Sequence, residues 1–295
     1  FLKKTEIKEP EIHSSLQSKI LFHHLLYTYH TINNDSKKGS QYLNELIELL
    51  EANPNRIKDD PSSYSTALNN LVGFHLFQKN YEKALPIFEK VKSIPEKYGL
   101  KQESKFTIKL KLRSYNIELE IYRDMKNWAK GIELIQEVSA FLESNEKHIP
   151  DIYLLLLWYQ FAYIYFMTND YSNSLKWVNE ILNRKFETDR TDLQSYGRLL
   201  NLMIHFELGN SFVLKYSVDN TRRWLTKKKE ILPFEQVLLK FFSKISNAPK
   251  SEFKILFGQL YEDLFGGEKP LISENELDYL DFKGWIQKKI RKSSK

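Results

Sequence analysis

Apolar positions along this chain recur at helical spacing, in paired blocks separated by short polar turns. One block shows it well. Trp158, Phe161, Ala162 and Tyr165 fall at i, i+3, i+4 and i+7, and after a turn Ser174, Val178, Ile181 and Leu182 form a second stripe. Ala162 and Ser174 are small, which lets two antiparallel helices approach closely. The pattern predicts six helical pairs: 12–32 with 38–52, 62–78 with 81–94, 102–125 with 128–145, 150–168 with 171–184, 190–208 with 211–229, and 234–246 with 250–265. The second pair is expected to close near Pro95, and residues 55–59 to form a polar connection. Asp60-Pro61 then offers an N-cap and a first-turn proline. Gly266-Gly267 and Pro270 interrupt the series, and Ser273-x-x-Glu276 has the form of a capping box opening one last helix through Leu277, Leu280, Trp285 and Ile290. No alternating strand pattern of useful length is present, so the expected fold is all-α.

A short motif marks the turns. It reads Lys79-Asn80-Tyr81-Glu82-Lys83-Ala84-Leu85, then Lys126-Asn127-Trp128-Ala129-Lys130-Gly131-Ile132, then Asn169-Asp170-Tyr171-Ser172-Asn173-Ser174-Leu175. Tyr81 and Trp128 lie 47 residues apart, Trp128 and Tyr171 43. A nearly fixed period of this size is the mark of a stacked array, in which each unit buries its apolar face on its neighbours. The expected division is 1–231 for about five helical pairs and 232–295 for a C-terminal helical cap that continues the array.

The motif and its flanking residues resemble the tetratricopeptide repeat family. The pair at 150–184 keeps the family's pattern in Trp158, Ala162, Tyr165, Tyr171 and Ser174. The pair at 62–94 keeps Tyr81, Ala84 and Phe88 but has Val72 and His75 where small and aromatic residues are usual, and the pair at 102–145 has Leu119 at the small place. The repeats exceed the family's usual length of about 34 residues. The likeness is good over 62–184 and loose over 12–52 and 190–229. It implies a right-handed superhelical array of antiparallel helix pairs with a C-terminal capping helix. Tyr279-Leu280-Asp281-Phe282 and Trp285 are also loosely similar to repeat proteins of Bacteroidetes-type bacteria, a likeness that carries no function.

In this family the first helix of each pair lines a concave groove. Carried onto this sequence, that gives Thr66, Asn69, Gly73 and Phe77, then Arg113, Asn116, Glu120 and Arg123, then Tyr159, Tyr163 and Phe166. Arg113, Asn116 and Glu120 share one helix face. Asparagine can both donate to and accept from an extended peptide backbone, and arginine can hold a carboxylate at two points. The three aromatic residues would either anchor an apolar side chain, with the Tyr159 hydroxyl still in water, or simply extend the core. Glu120 stands where the family's clamp for terminal carboxylates needs Asn, so recognition of chaperone tails is not expected.

Composition changes this picture little. Apolar residues at 42% and aromatics at 14% suffice for a continuous core, and the absence of Cys removes disulfides, thiolate metal sites and Cys nucleophiles. A formal charge of +6 is well below the basic density of a nucleic-acid binder. Arg222, Arg223 and Lys227–Lys229 form one basic cluster, and Lys288, Lys289, Arg291, Lys292 and Lys295 another; each reads as a solvated face or as a contact for an acidic partner. The apolar run 152–167 is too short to span a membrane. His23, His24 and His30 lack metal-site spacing, Gly266-Gly267 lacks the lysine of a phosphate loop, and the acidic pairs at 59–60 and 189/192 sit at helix starts. The start at Phe1 has neither an initiator Met nor a signal sequence, and the expectation is a piece of a longer protein. The expected function is a non-enzymatic scaffold for a protein or peptide, without cofactor or metal, with no nucleic-acid binding by this fragment, and cytoplasmic. The alternative is a peptide-sensing regulator whose DNA-binding output domain lies upstream.

Overall fold

The computed structural model describes residues 15–145, 149–228 and 231–292, all of them helix or connection, with no strand among them. None of these helices is long and apolar enough to cross a membrane. Residues 12–14 of the expected first helix, and Lys229 and Lys295 of the basic clusters, lie outside the described residues. The chain forms two compact units, 1–121 and 122–295. The boundary falls inside a helix, α6 (Lys105–Asp124), whereas the expected division at 231/232 coincides with a short connection.

The first unit holds α1 (Leu16–Ile32), α2 (Ser36–Glu51), α3 (Pro54–Asp59), α4 (Pro61–Phe77), α5 (Tyr81–Lys97) and most of α6. One core cluster joins Leu43, Leu46 and Leu50 of α2 to Tyr64 and Leu68 of α4 and Ile94 of α5. Another joins Val72 and Leu76 to Ala84, Phe88, Ile117 and Ile121. Two expectations need correction here. Residues 54–59 form α3 and not a polar connection, because Ile57 is fully buried in the core. Pro95 does not close its helix: α5 runs through Pro86 and Pro95 to Lys97, held by buried Val91 and Ile94. It stops where Gly99 takes φ +64° and the Leu100 N–H reaches back to the Pro95 carbonyl.

The second unit continues with α7 (Trp128–Asn145), α8 (Asp151–Met167), α9 (Tyr171–Asn183), α10 (Thr191–Glu207), α11 (Ser211–Lys227), α12 (Pro233–Ile245), α13 (Phe253–Phe265), α14 (Glu274–Tyr279) and α15 (Phe282–Lys292). α8 is apolar on every side and buried accordingly. The small pair behaves as expected: Ser174 Oγ donates to the Ala162 carbonyl at 2.7 Å, with both residues fully buried. The single last helix expected from the capping box is two. Ser273 and Glu276 cap α14, but Leu280 is extended, and Asp281 starts α15 by accepting the Gly284 N–H at 2.7 Å. The break lets Leu280 and Phe282 both bury, which one straight helix would not.

Five helix pairs share one turn geometry. Asn34, Lys79, Lys126, Asn169 and Gly209 all have positive φ. The N–H of the next residue then reaches back five positions, as from Asn80 to His75 at 2.9 Å and from Asp170 to Tyr165 at 3.0 Å. That same Asn or Asp opens the second helix. Asp35, Asn80, Asn127 and Asp170 each accept from the N–H three residues on, at 3.1–3.4 Å. The sequence motif is thus a helix stop and a helix start in consecutive residues. It marks three turns; the other two, at Asn34-Asp35 and Gly209-Asn210, lack its aromatic residue.

Candidate functional site

The eight residues expected to line a groove divide between the two units. Asn69, Arg113, Asn116 and Glu120 belong to the first, and Arg123, Tyr159, Tyr163 and Phe166 to the second.

In the first unit, Asn69 is buried on α4. Its Nδ2 donates to the Ser65 carbonyl at 2.8 Å, while its Oδ1 is buried with no protein partner. Asn116 Oδ1 on α6 is in the same state, and Arg113 and Glu120 are half-buried. Beside Asn69 on α4, Gly73 is exposed and faces open space, and Phe77 is 82% exposed at the end of the helix. A buried amide oxygen without a partner costs roughly 1–3 kcal/mol. The two unpartnered oxygens, one of them on the helix that carries the uncovered Phe77 ring, are the first unit's candidates for contact with another molecule.

In the second unit the expected residues do come together, and they are covered. Arg123 Nη1 donates to Gln160 Oε1 at 3.3 Å, and its guanidinium lies 5.7 Å from the centre of the Tyr163 ring. Phe166 is buried and tilts against Tyr171. Tyr159 is 2% exposed, and its hydroxyl donates to the Tyr279 carbonyl at 2.8 Å. The expectation of a wet Tyr159 hydroxyl is therefore corrected. The cover is the protein's own C-terminal segment. Burial pushes the Tyr163 phenol up to about 12, with Tyr159 also well above its ordinary value.

Other contacts fasten the same segment. Tyr279 stacks on Tyr196 with ring centres 4.8 Å apart, and Arg190 Nη2 donates to its hydroxyl at 3.1 Å. Farther along, Trp285 Nε1 donates to Glu207 at 2.7 Å and Lys289 pairs with the other oxygen of that carboxylate at 2.5 Å. Part of each basic cluster is thereby used within the protein, since Lys228 also donates to Ser195 and Lys288 to Asn169.

Sequence reasoning missed Arg190, Tyr196 and the docking role of Tyr279 to Asp281. No local spacing announces them, because Arg190 and Tyr196 meet Tyr279 only through long-range packing. Among the described residues, no three His, Asp or Glu side chains gather as a metal-binding set. No protein-family model matches the chain, and no curated protein gives a significant match to it.

Proposed function

We propose that the chain is a non-enzymatic scaffold, a right-handed helical array of the tetratricopeptide kind, that holds a peptide or protein segment on the face formed by the first helix of each pair. The observation that carries this reading is the way α8 holds residues 279–281. The Tyr159 hydroxyl bonds the main chain immediately ahead of an extended residue, Leu280, which has φ −149° and ψ 116°. Contacts to main chain tolerate many side-chain sequences, so a face that grips its own extended segment has the chemistry to grip another. On α4 and α6 the unpartnered Oδ1 atoms of Asn69 and Asn116 supply acceptors for main-chain N–H groups, with Phe77 as an apolar anchor.

A photo-crosslinking side chain at Gly73, compared with one at Lys90, tests the reading in cells that make the protein. Lys90 is exposed and pairs with Glu51 at 2.8 Å. A partner captured at Gly73 and not at Lys90 is expected. Its affinity should then fall about ten-fold in Arg113→Ala and in Asn116→Ala and stay unchanged in Lys90→Ala. If Lys90→Ala loses the partner while the other two variants keep it, the opposite face is the working one.

A further inference from the structure

α10 carries a polar stripe through a run of buried apolar residues. Arg198, Asn201 and His205 lie at i, i+3 and i+7, among Leu199, Leu200, Leu202, Met203 and Ile204, all fully buried. Each polar side chain leaves a buried atom with no protein partner: Arg198 Nε, Asn201 Oδ1 and His205 Nδ1. Asn201 and His205 are only 6% and 8% exposed. Buried polar atoms are nearly always hydrogen-bonded, so three orphans along one stripe call for a ligand or a functional reason.

All three face a cleft of about 530 Å³ between α9 and α11, with α10 beneath. Its described lining holds three cations, Arg198, Arg223 and Lys227, and no Asp or Glu. The Arg198 guanidinium is held 4.6 Å from the centre of the Trp224 ring. Cation–π contact occupies the face of a guanidinium and leaves its N–H edge for an oxyanion. At the rim, Arg223 Nη2 donates to Asn220 Oδ1 at 2.5 Å, which steadies that side chain. A guanidinium buried with no carboxylate is costly, and burial alone brings Arg198 down to about 10. Burial also lowers His205, which is therefore neutral at pH 7 and offers one donor and one acceptor.

The geometry points to a binding site for a small phosphate monoester in the α9–α11 cleft, with the phosphoryl group on Arg198, Arg223 and Lys227 and a hydroxylated body on Asn201 and His205. Three cations without an acid favour a dianion over a single carboxylate, and the unpaired Asn201 oxygen, farther along α10 from Arg198, calls for a hydroxyl donor that the body of a monoester carries away from its phosphoryl group. The volume lies in the range of small-molecule sites. This site is independent of the face assigned to segment binding, so either proposal can fail alone.

Calorimetry on the whole chain tests it, with ribose 5-phosphate as probe and ribose, inorganic phosphate and succinate as comparisons. Ribose 5-phosphate should bind most tightly and ribose not detectably. Arg198→Met should weaken it about ten-fold or more, and Arg222→Met should not, since Arg222 pairs with Asp219 and does not line the cleft. Asn201→Asp keeps the test decisive should Arg198→Met fail to fold. A carboxylate beside Arg198 should raise the melting temperature while abolishing ribose 5-phosphate binding. Ribose 5-phosphate binding no better than succinate, binding untouched by Asn201→Asp, or equal losses in Arg198→Met and Arg222→Met would each overturn the assignment.

Discussion

The Tyr159 hydroxyl donates to the main-chain carbonyl of Tyr279, 120 residues farther along the chain, across 2.8 Å. This bond ties a largely buried helix of the second unit, α8, to the segment that joins α14 to α15. Tyr159→Phe removes the donor and strands the Tyr279 carbonyl, at a cost of about 1–3 kcal/mol. The expected outcome is faster hydrogen exchange over residues 279–286 together with a lower midpoint in urea. Unchanged exchange there would mean that packing of Leu280 and Phe282 alone holds the segment.

Trp158 sits 9% exposed on α8, edge-on to Phe186 with ring centres 6.0 Å apart and with the Arg184 guanidinium over its ring. Trp158→Ala should leave a cavity and destabilise the second unit by about 3–5 kcal/mol. Chemical denaturation followed by circular dichroism reads the loss. A cost within about 0.5 kcal/mol of zero is what a surface position would give.

Lys126 takes φ +55° at a helix end, a region that side chains with a Cβ adopt at a cost, whereas Gly209 fills the equivalent place with φ +70°. Lys126→Gly should therefore stabilise the protein by about 0.5–1 kcal/mol, and Gly209→Ala should destabilise it by about 1 kcal/mol. Thermal melts of the two variants should move in opposite directions. Parallel shifts would contradict the shared turn geometry.

Asp151, in the first turn of α8, accepts the Glu187 N–H at 2.9 Å and the Arg184 guanidinium at 2.7 Å. The backbone N–H, and after it the Arg184 side chain, hold this carboxyl below its ordinary value of 3.8. A depressed carboxyl stabilises the fold fully above its unfolded value, and the contribution is lost as pH falls through the folded one. Asp151→Asn should therefore lower stability at pH 7 and flatten the loss seen below about pH 4. Melting temperatures at pH 7, 4 and 3 give the comparison, and a parent and variant that lose stability in parallel on acidification would refute it.

Helices and turns were legible in the sequence because their causes are local. Periodicity placed every helix of the six pairs, and Asn80, Asn127 and Asp170 announced their turns because a helix stop and an Asx cap are both read within a few residues. Local rules failed where packing outweighed them. Ile57 drew a short helix into the core, α5 passed through Pro95, and burial of both Leu280 and Phe282 broke the last helix. The candidate site was legible only in part. Tyr159, Tyr163 and Phe166 could be placed on one helix from their spacing, but not what covers them, since residues 279–289 reach that face through contacts summed over distant helices. The stripe of Arg198, Asn201 and His205 is visible as a spacing, yet its meaning lies in α9 and α11, which bring no carboxylate to it. Periodicity along a chain determines which side of a helix is apolar. Whether a polar group on that side finds a partner is decided by the surfaces that other helices bring to it, and only the tertiary structure holds that information.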